Sequence, residues 1–434
     1  MSKNIVSNFI IYLMLIAIIF QHSISYYLSV FNQIDNIFFV LICILGVLTI
    51  VTKKKINKNS LFLLGIMLIF YIIGIISYYL NSRRYGLPIF SYLGGFIYLK
   101  FYFIIFFFSQ LTINISLVNK VLNSIVKIGI FSSFFMWLQL LLNNQYITIF
   151  PFVLPGDQIF RGIRGISGLF HHSAITGWFY FLVFTIILIR NVLNKSYNKF
   201  LLLYFFVMIG LTLKAKAIAS VLIIIIFVSL IVGKRNKKSL LLGTFGITIS
   251  SILLFKDLFL RQVQLYITGN SNVGDTTARY SLLSNSFFLA KEYYPLGVGF
   301  SKYGSLFAVQ NYSEYYYYLG MNHIYGLSPE MSNFAMDTFW PAVLGETGYA
   351  GTVIYLILIT FIFSIIFKKY RRTISYVNKD YNILFILSLA IMVGMLTDSV
   401  ASPIFNTSPY IIINGMLVGL GFGGGINRKE ILHT

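Results

Sequence analysis

The sequence predicts an all-α, polytopic integral membrane protein of about 12 transmembrane helices, with a large exoplasmic loop between helices 9 and 10. Hydrophobic residues make up 58% of its 434 residues and charged residues only 10%, against about 25% charged in soluble proteins. Mean hydropathy is +0.81. The charges stand in short clusters between long apolar runs. This composition excludes a soluble enzyme and a disordered protein, and Cys43, the one cysteine, allows no intrachain disulfide.

Apolar runs that approach the roughly 20 residues needed to cross a bilayer define the individual spans. The predicted spans lie near 8–28, 37–52, 61–80, 91–113, 121–142, 173–190, 200–213, 217–232, 240–256, 343–367, 381–399 and 410–426. No small-residue cleavage site follows the first run, so it is predicted to be a retained helix and not a signal peptide. The chain is therefore divided into helices 1–9 over 1–256, a periplasmic loop over 257–337 and helices 10–12 over 338–434.

The distribution of Lys and Arg predicts the orientation. With the N-terminus inside, the inner segments carry 20 Lys and Arg residues and the short outer loops carry 6. Long loops are left out of this count because they are translocated largely regardless of charge. Both termini are therefore predicted to be cytoplasmic, and the net charge of +21 is a topology signal that gives no reason to expect nucleic acid as a partner.

Two predicted outer loops are long enough to have a function. They run from about Asn143 to His172 and from about Asp257 to Asp337. Within the second loop, residues 276–295 predict an amphipathic helix that is capped by Thr276 or Thr277, ends at Pro295 and lies on the membrane surface or caps the bundle. Its predicted apolar face consists of Tyr280, Leu283, Phe287, Ala290 and Tyr294.

Basic residues in these outer segments are candidate ligands for an anion. They are Arg161, Arg164, Lys214, Lys216 and Arg279. Arg279 would stand in the first turn of the loop helix, where free backbone N–H groups also attract phosphate. Two simpler explanations remain open. Asp275 could pair with Arg279, and the two lysines could be membrane anchors whose charged ends reach the interface.

Histidines and carboxylates of the same outer segments are candidate proton acceptors. They are His171, His172, His323, Asp337 and Glu346. An acid within a span is a functional candidate by default, although Glu346 could equally be a buried carboxylate that holds helices together. The sequence contains no clustered ligands for a metal and no phosphate loop for ATP, so neither a metal nor another cofactor is expected.

Four segments, in this order, resemble motifs of the O-antigen polymerase and O-antigen ligase superfamily. RGIRGISGLFHHSAITGWF before span six is similar to the family's arginine-bearing loop, and LTLKAKAIASVL resembles its basic corner. RYSLLSNSFFLAKEYYPLGVGFSKYG is similar to its Arg…Pro-hydrophobic-Gly-hydrophobic-Gly segment. DTFWPAVLGETGYAGTVIYLIL resembles the Glu-x-Gly-x-x-Gly start of the tenth helix. The motifs cover roughly 160–350, and the topology covers nearly the whole chain.

The resemblance implies a metal-independent glycosyltransferase in the bacterial inner membrane. Its substrates would be oligosaccharide repeat units linked to undecaprenyl diphosphate, and a chain-length regulator is a further candidate partner. The basic residues would bind the leaving diphosphate. Asp337 would be the base, with Glu346 and His323 as alternatives. Tyr280, Trp340, His171 and His172 would contact sugars.

One departure from the family pattern favours a polymerase of O-antigen or a related surface polysaccharide over a ligase. Ligases typically have histidine nine positions before the motif glutamate, and here that position is Asp337. Three alternatives stay open: a ligase that transfers the glycan to lipid A core, a flippase of lipid-linked oligosaccharides, and a non-enzymatic partner in polysaccharide assembly.

Overall fold

A computed structural model describes most of the chain. The described residues are 12–54, 56–81, 88–111, 115–156, 158–160, 162–194, 198–232, 256–265, 277–373 and 379–423. In these ranges the regular secondary structure is helical apart from one antiparallel pair of two-residue strands, β1 (Ile159–Phe160) and β2 (Ile163–Arg164). Two short 3-10 helices lie at Ser29–Gln33 and Met321–His323. The helices α1 to α17 are, in order, 12–19, Gln21–Ser25, Ile34–Lys53, Lys58–Asn81, Pro88–Phe108, Ile115–Leu142, Asn144–Ile149, Ser173–Asn194, Lys199–Leu211, Ala215–Val232, Lys256–Val263, Ala278–Glu292, Leu306–Gln310, Glu314–Tyr318, Trp340–Thr373, Lys379–Asp398 and Tyr410–Gly423.

The described helices confirm a polytopic membrane protein. Eight of them are long and apolar enough to cross a membrane: α3, α4, α5, α6, α8, α10, α15 and α16. The apolar helices α9 and α17 are shorter. The first predicted span, near 8–28, is broken within its described part by a turn at Phe20. Of the ninth, near 240–256, only residue 256 is described, and it begins α11.

Burial separates central helices from peripheral ones. Other parts of the protein bury 89% of the most apolar stretch of α8 and 78% of that of α16, but only 22% of that of α3. Helix α3 therefore keeps most of its apolar surface for lipid, whereas α8 and α16 form the centre of the bundle.

The predicted outer segments meet at one end of the bundle. Ser23 Oγ donates a hydrogen bond to the carbonyl of Leu169 (2.7 Å), and Asn81 Nδ2 donates one to the carbonyl of Gly297 (2.9 Å). These contacts join segments that are 146 and 216 residues apart in the chain. The shared end brings the polar loops together around one region of the molecule.

The segment 277–339 has a hydrophobic core of its own at this end. Buried residues from α12, α13 and α14 and from the turns between them form it: Ala278, Leu282, Leu289, Val298, Tyr303, Ala308, Tyr315, Tyr316, Met321, Leu327 and Ala335. Burial raises the pKa of the Tyr303 and Tyr316 hydroxyl groups well above the usual value for tyrosine. Both phenols therefore stay neutral hydrogen-bonding groups. Because it has this core, the segment 277–339 is a folded unit.

Helix α12 confirms the predicted helix and its cap but corrects its buried face. Thr277 caps the helix by accepting a hydrogen bond from the N–H of Tyr280 (3.4 Å), and the helix stops at Glu292, ahead of Pro295. The predicted apolar face is not the face that packs on the rest of the protein, because Phe287 is exposed. The buried face instead consists of Ala278, Ser281, Leu282, Ser286, Leu289 and Ala290. Neighbouring apolar residues offer two possible faces, and the smaller side chains let α12 lie close against α15.

Candidate functional site

A cavity of about 720 Å³ opens at the loop end of the bundle. Five candidate residues line it: His172, Lys214, Lys216, Arg279 and Asp337. They come from four distant parts of the chain: the start of α8, the corner between α9 and α10, the first turn of α12, and the segment before α15. The rest of the wall is largely apolar and includes Ile175, Leu213, Val263, Phe334 and Pro403. The volume is typical of a pocket for a small organic ligand.

Arg279 and Asp337 form an ion pair on the cavity wall. Arg279 Nη2 donates to Asp337 Oδ2 at 2.7 Å, and about a third of each side chain is exposed to solvent. The Thr277 cap fixes the start of α12 and so places Arg279 in the first turn of the helix. Because the pair is partly solvated, we expect it to contribute at most about 1 kcal/mol to stability. The predicted alternative partner, Asp275, lies outside the described residues.

The basic corner between α9 and α10 directs two lysines to the cavity. Leu213 adopts a left-handed conformation (φ 52°), which turns the chain sharply between the two helices. Lys214 and Lys216 follow immediately, and both line the cavity. Lys216 Nζ also lies 3.4 Å from Asp398 Oδ1 at the end of α16. The lysines are therefore parts of the cavity wall and not only membrane anchors.

A small void with a few polar groups in a mostly apolar wall lies beside Lys216. It measures about 10 Å³, which is room for one water molecule, and Lys216 and Asp398 both line it. Three further polar atoms at its wall, Trp178 Nε1, Ser220 Oγ and Asn414 Oδ1, have no hydrogen-bond partner among the described residues. Buried polar groups of this kind are usually satisfied by water. Lys216 thus connects the large cavity with a polar site inside the bundle.

The two adjacent histidines have different environments. His171 Nδ1 is hydrogen-bonded to the carbonyl of Phe152, and His171 does not line the large cavity. His172 lines it, and its Nδ1 accepts from the N–H of Ala174 (3.1 Å) at the start of α8. Of these two histidines, only His172 is positioned to contact a molecule in this cavity.

Arg164 lies apart from the other basic residues. It is exposed on β2 and lines a separate pocket of about 130 Å³ beside Gln139 and Asn143. The loop that follows β2 is attached to α6, because Gln139 Oε1 accepts hydrogen bonds from the N–H groups of Ser167 and Gly168. The structure therefore does not bring Arg164 to the cavity that Lys216 and Arg279 share. Arg161 lies outside the described residues.

Glu346 is buried away from the cavity. Its Oε1 accepts from the N–H groups of Lys302 (2.9 Å) and Tyr303 (3.0 Å) and from Ser305 Oγ (2.5 Å). Its predicted role as an alternative base is not supported by this position, because Glu346 is fully buried and is not part of the cavity lining. Its hydrogen bonds instead attach the 302–305 turn to α15.

Backbone contacts explain the glycines around Glu346. The N–H of Val298 donates to the carbonyl of Gly345 (3.0 Å), and that of Gly299 donates to the carbonyl of Glu346 (2.8 Å). Gly348 interrupts α15 with a positive φ of 62°, and a Cβ there would lie 2.2 Å from the backbone of Leu296. The glycine-rich turn after α12 is thus inserted against a kink in α15.

Three other predicted site residues also lie outside the cavity lining. His323 is exposed and pairs with Asn322. Tyr280 is half-buried on α12. Trp340 Nε1 donates to Ser399 Oγ (2.9 Å), and its ring packs against Phe339. The expected contacts of Tyr280 and Trp340 with sugars are therefore not supported by their positions.

Sequence reasoning missed two polar residues near the cavity. Gln158 lines it and accepts from Arg261 Nη1 (3.5 Å), and Arg261 belongs to α11, whose Val263 is part of the wall. Their chain positions carried no motif, and only tertiary contacts bring them together. Among the residues that the structure describes, no group of three or more His, Cys, Asp and Glu side chains could hold a metal ion.

The chain matches no protein-family model and no curated protein. The kinds of ligand that the protein can bind are therefore inferred from the residues that line the cavity. Three cationic side chains can bind an anion with more than one negative charge, and the apolar wall can hold hydrocarbon. Asp337 can accept a proton from a neighbouring hydroxyl once it is no longer paired with Arg279.

Proposed function

We propose that the protein is a polymerase of O-antigen or a related bacterial surface polysaccharide. It would span the inner membrane twelve times with both termini in the cytoplasm, and the 720 Å³ cavity would open at the outer face. The proposal is supported above all by one observation: Lys214, Lys216, Arg279 and Asp337 line one cavity although they are up to 123 positions apart in sequence.

The anion bound by the cavity would be the diphosphate of an undecaprenyl-linked glycan. Lys214, Lys216 and Arg279 supply three positive charges on its wall. The apolar residues beside them, such as Ile175 and Leu213, would lie against the first isoprene units. Preorganised cations of this kind stabilise the negative charge that develops on a leaving diphosphate. No phosphate-binding loop is needed, because the sugar–diphosphate bond supplies the driving force.

Asp337 would act as the base of the transfer. The hydroxyl oxygen of the acceptor sugar attacks the anomeric carbon of the donor, and its proton passes to the Asp337 carboxylate. The bond between the anomeric carbon and the diphosphate oxygen breaks, and the bonding electrons leave with the diphosphate. The 2.7 Å contact between Arg279 and Asp337 supports this assignment, because the base would have to lie beside the group that binds the diphosphate.

The alternatives have less support from these positions. A ligase that uses His323 as its base would need that residue at the cavity, and His323 is not part of the lining. A flippase needs charged groups along the centre of the bundle, whereas the basic residues Lys214, Lys216 and Arg279 line a cavity at one end. His172 does line the cavity, so a ligase with a different base remains to be tested.

A deletion strain of the source organism tests the proposal directly. Its surface glycolipid, resolved on a gel, is expected to collapse from a ladder to core plus a single repeat, because repeat units are still made, flipped and ligated. A ladder lost from core, with long lipid-linked polymer accumulating, would identify a ligase instead. Accumulation of unpolymerised units on the inner leaflet would identify a flippase.

Complementation of that strain tests the residues. Arg279→Ala is expected to restore no polymer while the protein inserts normally. Lys58→Ala, which removes an exposed cation at the opposite end of the bundle, is the matched control and is expected to restore the full ladder. A normal ladder from Arg279→Ala would remove Arg279 from the mechanism.

A further inference from the structure

The outward face of α12 is largely apolar, and no residue that the structure describes covers it. Phe287 is 51% exposed and Phe288 is 49% exposed, and Lys291 is exposed one turn further on. Tyr294, just after the helix, is 73% exposed. These residues point away from the core of the 277–339 segment, so the fold of that segment does not explain them. We call these four residues the outward face.

This face is continuous with the surface of a membrane span. The rings of Tyr294 and Tyr349 are in contact, with centroids 6.1 Å apart. From Tyr349 a row of exposed apolar residues continues along α15 through Val353, Leu356 and Ile357. Helix α15 has the length and hydropathy of a span, and only 33% of its most apolar stretch is buried by protein. Its exposed row is therefore where lipid would contact the bundle.

The chemistry of the outward face suits the boundary between acyl chains and headgroups. Phe287 and Phe288 can enter the acyl region, while the Lys291 ammonium reaches lipid phosphates from the same side of the helix. Tyr294 has the amphipathic ring that is common at membrane interfaces. A second protein could also cover an apolar face, but the continuity with the lipid-facing row of α15 favours the bilayer.

We infer that α12 lies in the membrane interface, with Phe287 and Phe288 inserted into the leaflet next to the cavity. Arg279 stands at the other end of the same helix, on the cavity wall. Anchoring the helix in the leaflet would hold Arg279 near the depth of lipid phosphates. This last consequence rests on the proposed function, whereas the insertion itself does not.

Spin labelling can measure the depth of the outward face, because Cys43 is the only cysteine. In a Cys43→Ser background, nitroxide labels would be attached to Phe288→Cys, to Val353→Cys on the exposed row of α15, and to Glu330→Cys, an exposed acidic position of the 277–339 segment. The full-length protein would be reconstituted in vesicles of phosphatidylethanolamine and phosphatidylglycerol. Collision of each label with oxygen and with a water-soluble nickel chelate would then be compared.

Phe288→Cys is expected to behave like Val353→Cys, with more collisions with oxygen than with nickel, while Glu330→Cys shows the reverse. A label at 288 that is as accessible to nickel as the label at 330 would overturn the inference. So would a label at 288 that is shielded from both reagents, because protein would then cover the face. Phe287→Cys provides a second label site if the first variant is poorly expressed.

The depth measurement and the deletion strain test separate proposals, and either proposal can be rejected without the other. A water-exposed label at 288 would leave the polymerase proposal intact. Conversely, a deletion strain with a normal ladder would reject the polymerase and leave a lipid-inserted α12 unaffected.

A double variant connects the two proposals. Phe287→Gln/Phe288→Gln is expected to reduce elongation by raising the concentration of lipid-linked donor required, with little change in the maximal rate.

Discussion

Asp337 and Glu346 are two carboxylates nine positions apart in the chain, yet their surroundings differ completely. Asp337 is about a third exposed, lines the large cavity and has a side chain, that of Arg279, as its partner. Glu346 is fully buried and bound by two backbone N–H groups and a serine hydroxyl. A side-chain partner can be displaced by a ligand, whereas backbone donors cannot be displaced unless the fold opens.

The two carboxylates of this motif therefore differ in role, one suited to a reaction and the other to supporting the fold. Asp337 has the accessibility that a base requires, and Glu346 has the hydrogen bonds of an internal support. Substitutions at the two positions should therefore affect different measurements.

The largest effect is expected on catalysis from Asp337→Asn. Glycan transfer should fall by about 10²–10⁴-fold, the usual contribution of a general base. Thermal stability should change little, because a partly exposed ion pair contributes at most about 1 kcal/mol. Polymer formed in vesicles and unfolding temperature in detergent measure the two, with Glu330→Gln as an exposed acidic control. Loss of stability together with activity would make Asp337 a structural residue like Glu346.

Glu346→Ala is expected to lower the free energy of unfolding by about 3 kcal/mol, because it leaves the buried N–H groups of Lys302 and Tyr303 without an acceptor. The amount of folded protein in the membrane and its unfolding temperature check this. Glu346→Gln keeps one accepting oxygen and should lose less. Full stability together with lost transfer in Glu346→Ala would give this carboxylate a direct role in the reaction.

Lys216 occupies an intermediate position, because it lines the cavity and pairs with a buried carboxylate. Lys216→Gln should cost about 1–3 kcal/mol of stability, since it leaves Asp398 without its cation. Lys216→Gln/Asp398→Asn should recover most of that stability without restoring transfer. Thermal unfolding and polymer yield of both variants test this. Recovery of transfer by the double variant would show that Lys216 acts only as a structural partner of Asp398.

The smallest effect is expected at Tyr280, which sequence reasoning assigned to sugar binding. Tyr280→Leu removes the aromatic face but keeps apolar bulk on α12. Because Tyr280 does not line the cavity, transfer should remain within about twofold of the unchanged protein. Initial rates in vesicles would show this, and a tenfold loss would mean that substrate extends beyond the cavity to α12.

Local features of the sequence predicted most of the fold. Apolar runs identified the described spans, because the length of a run is a property of consecutive residues. The cap at Thr277 and the end of α12 before Pro295 were equally local. The sequence did not show which face of α12 packs on the protein, because Phe287 and Phe288 satisfy helical periodicity as well as Leu282 and Leu289 do.

The site was predicted less completely, because it depends on contacts between distant segments. Lys214, Lys216, Arg279 and Asp337 were identified as types of residue that suit the chemistry, but no local pattern could indicate that they share a cavity. Nor could a local pattern show which of two adjacent histidines faces it. Glu346 shows the opposite case, a residue that a local motif identified easily. Its hydrogen bonds attach the 302–305 turn to the kinked helix α15 and do not bring it to the cavity.

The ion pair between Arg279 and Asp337 also bears on the order in which substrates bind. While Arg279 donates a hydrogen bond to Oδ2 of Asp337, that carboxylate oxygen is occupied and is less available to a sugar hydroxyl. A donor diphosphate that takes over the arginine would release it. We therefore expect ordered binding, with the donor first and the acceptor second, and product-inhibition kinetics would distinguish this sequence from random addition. Such an order would keep the base inactive until a glycan is in place to be transferred.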